Sequence, residues 1–465
     1  MQTIKLLFTS DEHGHIKKAP RLQNLIQKEK AENPNTLLVS SGDIFQGTPE
    51  SDLLGGKPSL DVVKEAGYDL VELGNHDFDN GVDFVKDWLS KADYPVLAGN
   101  VVEESTGKRL PGAKPYQVFE MGGMKMGLIG VVTPETKTSA RKEDVEGLKF
   151  LEPAPVVEQA KKELEEQGID FIGVISHLGL DGDEKLAKDV QGLDFILGGH
   201  THQALQQPKK VGDTLVCQPG CFRDYLGSLE MNVDEKTGVI QSFDHELIPM
   251  QNGQDSPSRV ADVVHQATQR LEEANSTVVT TTDISLLHSH QRESSLGFQT
   301  SEAMRKATGT RLALFNLKTQ RADIPGGDVT AGQLYNALPF PNRVVKIKVT
   351  PEQLLKAIQL SEQRDDHTSL ERHNVILNFS PPNLDTPESL SWPGEPGTIQ
   401  DESIEIATTD FIAQGGLGYF KDAEVLETYG FMRDVLEDYL DDSVAAQNQQ
   451  LRAPKFSARE VFASL

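Results

Sequence analysis

The first half of the chain repeats one hydrophobic pattern. Short apolar runs rich in β-branched residues recur, and polar residues follow each run within a few positions; the runs are 4–8, 36–39, 69–73, 171–175 and 195–197. Runs of this kind predict buried strands. Between them, 21–32 and 153–167 carry apolar residues at helical spacing. Strands that alternate with helices indicate an α/β domain.

The pattern changes near residue 250. Residues 251–257 form a polar, turn-rich break, and 260–274 then predict a single helix that connects two domains. Further on, 344–349 and 403–408 predict strands of the second domain, and 352–362 predict a helix. We therefore predict three parts: an N-terminal domain over 1–250, a connector over 251–276 and a C-terminal domain over 277–465.

Potential metal ligands follow all five predicted strands of the first domain. In chain order they are Asp11, His13, Asp43, Asn75, His177, His200 and His202. In α/β domains, ligands collect beyond the carboxyl ends of the strands, so we expect these side chains to meet at one edge of the domain.

These side chains offer imidazole nitrogen together with carboxylate and amide oxygen. This mixture suits Mn²⁺, Fe²⁺, Co²⁺ or Zn²⁺, whereas sites made only of oxygen suit Mg²⁺ or Ca²⁺. The lack of thiolate ligands disfavours a closed structural zinc site. Seven ligands exceed the needs of one ion and fit two ions that share a carboxylate. Two ions ~4 Å apart can clamp a phosphoryl group and turn a bridging water into hydroxide, so we predict phosphate-ester hydrolysis.

Composition narrows the range of partners. The 465 residues carry a formal net charge of -26, which disfavours binding to nucleic-acid polymers or to anionic membranes. A phosphate substrate must therefore meet local positive charge, and metal ions can supply it. We see no signal peptide and no apolar run of about 18 residues, and we expect a cytoplasmic protein. The sequence makes no prediction about the oligomeric state.

The motifs around the ligands resemble those of a known family. Their order is similar to that of the calcineurin-like metallophosphoesterases: Asp11-Glu12-His13-Gly14, Gly42-Asp43, Gly74-Asn75-His76-Asp77, Ser176-His177 and Gly199-His200-Thr201-His202. Together with Phe78-Asp79 and the later Leu338-Pro339-Phe340, they resemble the 5′-nucleotidase and UDP-sugar hydrolase family. The resemblance implies an N-terminal αββα sandwich and a mixed α/β C-terminal domain that binds the substrate.

The resemblance also implies roles for the site residues. One ion would be held by Asp11, His13, Asp43 and His202, and the other by Asp43, Asn75, His177 and His200, so that Asp43 bridges the two. His76 is similar to the catalytic histidine of the family, and Asp79 would orient its ring. In the second domain, the residues that match substrate-binding positions are Arg292, Asn316, Arg321, Phe340 and Phe411.

Two segments depart from the family pattern. Residues 317–320 replace glycines that let the backbone approach the ligand, and Leu417 replaces an aspartate that receives the ribose hydroxyls. We therefore predict a phosphomonoesterase acting on nucleotides or related metabolites, without assigning AMP as the substrate. A phosphodiesterase or pyrophosphohydrolase acting on cyclic nucleotides or nucleotide sugars is the alternative. A non-catalytic nucleotide-binding protein is disfavoured because every ligand and His76 are present.

Overall fold

The computed structural model describes residues 1–140, 142–169, 171–250, 257–289, 294–340, 342–364, 369–379, 387–395, 397–420 and 423–447. The chain divides into two compact units, Met1–Leu271 and Glu272–Leu465. This division falls within a helix, Arg259–Ser276, and the domain boundaries given above stay a prediction.

The first unit alternates strands and helices. Its strands are β1 (Gln2–Thr9), β2 (Thr36–Ser40), β3 (Leu70–Glu72), β4 (Val96–Leu97), β5 (Val101–Glu103), β6 (Tyr116–Met121), β7 (Met124–Val132), β8 (Leu148–Phe150), β9 (Phe171–His177), β10 (Phe195–Leu197), β11 (Lys209–Val211), β12 (Thr214–Cys217), β13 (Tyr225–Val233) and β14 (Ile240–Pro249). Its helices are α1 (Ala19–Glu32), α2 (Pro49–Asp52), α3 (Lys57–Ala66), α4 (Val82–Lys91), α5 (Thr136–Ser139), α6 (Pro153–Glu165), α7 (Leu180–Asp189) and α8 (Arg259–Ser276), which extends across the division between the units. Short 3₁₀ helices span Ile16–Lys18, His76–Phe78 and Lys142–Val145.

The longer strands form two six-stranded sheets. The first has the order β14-β13-β1-β2-β3-β4, in which β1 to β4 run parallel. The second has the order β11-β12-β10-β9-β7-β6, in which β12, β10, β9 and β7 run parallel. The strands β5 and β8 pair separately.

The main core lies between the two sheets. Ile4, Leu6 and Phe8 alternate along β1 and are fully buried, and they cluster with Leu128 of β7 and Phe171 of β9. Side chains two residues apart share one face of a strand, so this alternation turns one face of the first sheet toward the second.

Helices cover the outer faces of both sheets. Val157 and Leu164 of α6 and Leu186 of α7 form a second core with Val131 and Ile172 of the second sheet. On the other side, α1 contacts β2 and α3. The first unit is therefore a helix–sheet–sheet–helix sandwich, which confirms the fold that the resemblance implied.

The second unit is a mixed α/β domain. Its strands are β15 (Val278–Thr282), β16 (Ala313–Asn316), β17 (Gly327–Thr330), β18 (Arg343–Val349), β19 (Leu370–His373), β20 (Ile376–Asn378), β21 (Ser389–Ser391), β22 (Ile404–Thr409) and β23 (Glu424–Phe431). Its helices are α9 (Ser295–Thr308), α10 (Ala331–Ala337), α11 (Pro351–Glu362), α12 (Asp410–Ala413) and α13 (Met432–Gln447), with 3₁₀ helices at Leu317–Thr319 and Gly416–Gly418. The order β19-β16-β22-β18-β23 forms its central sheet.

The start of α11 illustrates why these elements form where they do. Thr350 accepts a hydrogen bond from the Gln353 amide, and the Gln353 side chain accepts one from the Thr350 amide. This capping box satisfies two amides that the helix cannot pair internally, and Pro351 occupies the first turn, where no amide donor is needed. Leu354 and Ile358, one turn apart, then join the core of the second unit.

Across the described parts of the chain, no helix is both long enough and apolar enough to cross a lipid bilayer.

Candidate metal centre

The sheet topology brings the predicted ligands to one edge of the first unit. Parallel strands β1, β2 and β3 lead to Asp11, Asp43 and Asn75, and parallel strands β9 and β10 lead to His177 and to the His200–His202 turn. Two groups of side chains result: Asp11, His13 and His202 in one, and Asp43, His177 and His200 in the other, with the ligand atoms of each group within 4.8 Å of one another. Each group can hold one ion, and the assignment of individual ligands stays a prediction.

In the first group, two imidazoles and a carboxylate point at the same place. The Nε2 atoms of His13 and His202 are 3.2 Å apart, and His202 Nε2 lies 3.3 Å from Asp11 Oδ1. His13 Nδ1 donates to the Gln46 carbonyl over 3.0 Å, which leaves Nε2 as the nitrogen available to a cation.

The second group contains two buried polar atoms that suit a metal ligand. His177 Nδ1 donates to the Ser41 carbonyl over 2.6 Å, so Nε2 faces Asp43 Oδ2 at 3.1 Å. Asn75 Oδ1 is buried and has no hydrogen-bond partner among the described residues, and the buried His177 Nε2 has only the Asp43 carboxylate beside it. Buried polar atoms are normally satisfied, and a divalent cation would satisfy both. The residues present therefore fit the ions that the family implies.

Asp43 faces both groups. Its Oδ2 lies 3.1 Å from His177 Nε2 of its own group and 3.8 Å from His13 Nε2 of the other, while Oδ1 accepts a hydrogen bond of 2.8 Å from the His76 amide. Burial alone would lower the pKa of His177, but the charges of Asp43 and Asp11 raise it to about 10. The field at this position thus favours positive charge, and the bridging role of Asp43 stays a prediction.

His76 stands beside the ligands without belonging to either group. Its Nδ1 lies 2.7 Å from Asp79 Oδ2, its ring meets the His13 ring edge-on at 5.3 Å, and 39% of its side chain is exposed. Burial lowers the pKa of His76, but the hydrogen bond with Asp79 and the charge of Asp43 outweigh it and raise the pKa to about 9. Asp79 therefore orients the His76 ring at the rim of the site and favours its protonated form.

Sequence analysis missed the residues that hold the ligand loops in shape. Asp77 is fully buried and accepts hydrogen bonds from the amides of Asp43, Ile44 and Gly74. Asp77 belongs to the Gly74–Asp77 motif, so the sequence did contain an indication that it matters for the site. The sequence could not indicate the carbonyls of Ser41 and Gln46, which orient His177 and His13, because every residue has a carbonyl.

The predicted substrate residues of the second unit are only partly brought together. The Arg321 guanidinium lies over the Phe340 ring, 5.3 Å from its centroid, and 39% of Phe340 is exposed. Asn316 Oδ1 instead accepts the Thr319 hydroxyl over 2.8 Å. Phe411 lies on α12 and is 44% exposed, and Arg292 lies outside the described residues.

Comparison with known proteins agrees with this geometry. Two facing sheets with clustered histidine and carboxylate ligands define a metallophosphoesterase, and residues 4–204 match the calcineurin-like phosphoesterase family. Residues 263–422 match the 5′-nucleotidase C-terminal domain. The chain therefore belongs to the family that joins these two domains, which confirms the resemblance noted in its motifs.

The individual relatives have low sequence identity to this chain, but their matches cover most of its length. The trifunctional nucleotide phosphoesterase protein YfkN of Bacillus subtilis (strain 168) is 26% identical over 485 residues; the match covers 92% of this chain, which spans only 33% of that relative. The 5′-nucleotidase of Vibrio cholerae serotype O1 (strain ATCC 39315 / El Tor Inaba N16961) is 25% identical over 94% of this chain and 90% of its own length. The crystal structure of a 5′-nucleotidase precursor from Thermus thermophilus is similar with a TM-score of 0.66 and 26% identity, covering 95% of this chain and 96% of that one.

Proposed function

We propose that this chain is a divalent-metal-dependent phosphohydrolase that acts on phosphate monoesters of nucleotides or related small metabolites. The observation that carries the proposal is Asp43, whose carboxylate lies between two groups of ligands. The relatives named as nucleotidases and as a nucleotide phosphoesterase support the same substrate class.

Seven side chains would hold the two ions. We assign Asp11, His13, Asp43 and His202 to one ion and Asp43, Asn75, His177 and His200 to the other. When bound, such ions supply Lewis-acid stabilisation of the charge that develops on the phosphoryl oxygens. Because the ligands combine nitrogen and oxygen, we expect Mn²⁺, Co²⁺, Zn²⁺ or Fe²⁺ rather than Ca²⁺.

His76 would act on the substrate directly. Asp79 fixes Nδ1, so Nε2 is the nitrogen that can reach a bound ester. The protonated ring can donate a hydrogen bond to a phosphoryl oxygen or give its proton to the leaving oxygen.

Exposed groups in the second unit supply candidates for recognising the organic part of the substrate. Stacking of a base on Phe340 or Phe411 would contribute about 1–3 kcal/mol. Arg321, already seated over Phe340, offers a positive charge on the same surface.

A substrate panel with controlled metals tests the proposal. The full chain, stripped by exhaustive chelation, should be inactive, and activity should return with Mn²⁺, Co²⁺, Zn²⁺ or Fe²⁺ supplied separately. Elemental analysis should find two ions per chain, and Asp43→Asn should weaken the binding of both. Activity that persists with no bound ion would contradict the proposal.

A phosphodiesterase or pyrophosphohydrolase is the alternative, because a two-ion site can clamp a diester or a pyrophosphate as well as a monoester. The panel should therefore include cyclic nucleotides, nucleotide sugars and a bis-aryl phosphate beside monoesters.

A cytoplasmic location also stays a prediction, which cell fractionation of the native host would check.

A further inference from the structure

Glu12 is a buried carboxylate between two predicted metal ligands, yet it belongs to neither ligand group. Its side chain is fully buried and is held by hydroxyl groups of three other residues. The Thr9 hydroxyl donates to it over 2.6 Å, the Ser40 hydroxyl over 3.0 Å and the Tyr68 hydroxyl over 3.3 Å. Glu12 thus anchors the Asp11–His13 turn to the interior of the domain.

Arg223 is a buried cation on the other side of the same turn. Only 1% of the residue is exposed, and its guanidinium donates to the His15 carbonyl over 3.0 Å. Its neighbour Phe222 donates its amide to the Asp11 carbonyl over 2.7 Å. Phe222 and Arg223 both have left-handed backbone, with φ of 57° and 50°, so these contacts maintain a conformation that such residues rarely adopt.

Glu12 and Arg223 hold the same segment of the chain, since Glu12 lies within the Asp11–His13 turn and Arg223 donates to the His15 carbonyl just after it. Tyr68 links them: burial and Glu12 raise the pKa of its hydroxyl, and the charge of Arg223 opposes this rise. Both charges therefore act on the same hydroxyl group.

Phe222 connects this network to one ion site. Its ring centroid lies 4.6 Å from that of His15, 5.4 Å from that of His202 and 5.7 Å from that of His13. His13 and His202 are the two imidazoles of the first ligand group, whereas the described ring contact of the second group joins His177 to His200. A shift of Phe222 would thus mainly change the positions of the imidazoles of the first group.

We propose that Glu12, Tyr68 and Arg223 form one positioning unit for the Asp11–His13–His202 ion site. Arg223 and the Phe222 amide hold the 220–224 loop against the 11–15 turn, Glu12 anchors that turn to the interior, and Phe222 on the loop orients His13 and His202. This inference rests on the proposed function, because it assumes that the first ligand group binds an ion.

A double-mutant cycle on the full chain tests the unit. Glu12→Gln and Arg223→Met each remove one charge with little change in length, and the double variant removes both. Each single change should weaken binding of one Mn²⁺ about 10–100-fold, measured by calorimetric titration, and leave the other ion within about twofold. Because both residues act through the same turn, the double variant should lose at least about tenfold less affinity than the product of the single losses.

Tyr68→Phe gives a milder test, should a single charge variant fail to fold. It removes only the linking hydroxyl, so affinity for one Mn²⁺ should fall about tenfold while kcat at saturating Mn²⁺ stays near that of the unmodified chain. The matched control is Tyr94→Phe, which removes a tyrosine hydroxyl bonded to Trp88 away from the site. The control should change neither ion.

Three results would overturn the inference: independent losses in the double variant, equal weakening of both ions, or no effect of Tyr68→Phe on Mn²⁺ affinity. If the unmodified chain bound none of Mn²⁺, Co²⁺, Zn²⁺ and Fe²⁺, the proposed function would fail with it. The unfolding free energies of the same four proteins would then still show whether Glu12 and Arg223 stabilise each other. The two failures are therefore distinguishable.

Discussion

Five of the seven predicted metal ligands share an unusual backbone conformation. Eleven non-glycine residues of the described chain have positive φ, and five of them are predicted ligands: Asp11, His13, Asp43, His200 and His202. Such conformations cost of the order of 1–3 kcal/mol each and persist only when the surroundings enforce them. Here the amides of Asp11 and His13 donate to the carbonyls of Gly42 and Asp43, over 2.9 Å in both cases. The ligand turns thus hold each other in place.

The chemistry at the rim predicts a specific effect of losing His76. His76→Ala should lower kcat by about 10²–10⁴, because a positioned acid or hydrogen-bond donor is lost. Both ions should remain bound, since His76 belongs to neither ligand group. Steady-state kinetics at saturating metal, with elemental analysis of the same samples, measures both quantities.

His265→Ala is a suitable control, because His265 is exposed on α8. It should leave kcat unchanged. If His76→Ala instead lost an ion, the residue would be a ligand and our assignment would be wrong.

The carboxylate of Asp79 should control the pH dependence of the reaction. Asp79 raises the pKa of His76, so Asp79→Asn, which keeps an acceptor oxygen but removes the charge, should lower that pKa. The protonated ring would then be lost at a lower pH, and the alkaline limb of the kcat profile should move to lower pH.

Asp83→Asn changes an exposed carboxylate in the first turn of α4 and should leave the profile in place. An alkaline limb that is identical in Asp79→Asn and the unmodified chain would show that His76 is not the titrating acid.

At this scale, sequence analysis could point to the residues that the fold brings together but not to their supports. Asp11, Asp43 and His177 could be singled out because each follows a clear apolar run. The roles of Asp77, Tyr68 and Phe222 depend on contacts between segments distant along the chain. No local pattern encodes such contacts, so only the folded structure reveals them.

At the scale of elements, strand positions were predictable and their ends were not. The run 171–175 predicted a strand, and the observed β9 continues to His177. It is longer because β7 still pairs with it at this end, where Val132 lies opposite His177. The run 69–73 predicted five residues, whereas β3 has three, because its neighbour β4 pairs with it only through Val96 and Leu97. Strand length is thus set by the partner strand, which the local sequence does not contain.

Strand β3 also carries a buried acid with no role in the site. Glu72 is fully buried, and neither of its carboxyl oxygens has a hydrogen-bond partner among the described residues. Gly130 makes room for it, since a Cβ there would lie 1.8 Å from Glu72 Oε2. Burial, and next the charge of Asp77, raise the pKa of Glu72 well above its usual value.

This raised pKa predicts that Glu72→Gln increases the stability of the folded chain, and that the increase depends on pH. The folded chain holds the Glu72 proton more tightly than the unfolded chain does, so stability is lost as pH rises from the unfolded pKa through the folded one. Each tenfold difference in proton affinity corresponds to about 1.4 kcal/mol. Relative to the unmodified chain, Glu72→Gln should therefore become more stable as the pH is raised from about 4.5 to 8.

Urea unfolding with a chelator present measures this difference across the pH range. The control Glu120→Gln changes an exposed glutamate of β6 and should show no such trend. A stability difference for Glu72→Gln that does not vary with pH would mean that Glu72 is ionised in the folded chain.

At the scale of the whole molecule, the metal centre and the candidate nucleoside contacts belong to different compact units. The alternating pattern and the motifs could predict the sandwich of the first unit, because five strand ends recur there. The second unit offers no comparable set of strand-end ligands, and its predicted residues rest on resemblance alone. The choice of substrate is therefore the least determined property.

The Gly415–Gly418 turn limits what the second unit can recognise. Leu417 has a φ of 57°, its carbonyl accepts a hydrogen bond of 2.7 Å from Arg364, and its side chain packs against the core. The resemblance predicts an aspartate at this position that would receive the ribose hydroxyls. Leu417 offers no such acceptor, and a hydrogen bond to a charged group contributes about 1.5–3 kcal/mol.

The unmodified enzyme should consequently discriminate poorly between ribose and deoxyribose. We expect kcat/KM for AMP and deoxy-AMP to agree within about tenfold, since the hydroxyl contact with a charged acceptor is missing. Leu417→Asp should raise kcat/KM for AMP more than for deoxy-AMP or an aryl phosphate, and Leu417→Asn, of the same shape but uncharged, should raise it less. A preference for AMP of about a hundredfold over both other substrates in the unmodified chain would mean that another acidic group binds the ribose, because one charged hydrogen bond accounts for a factor of that size.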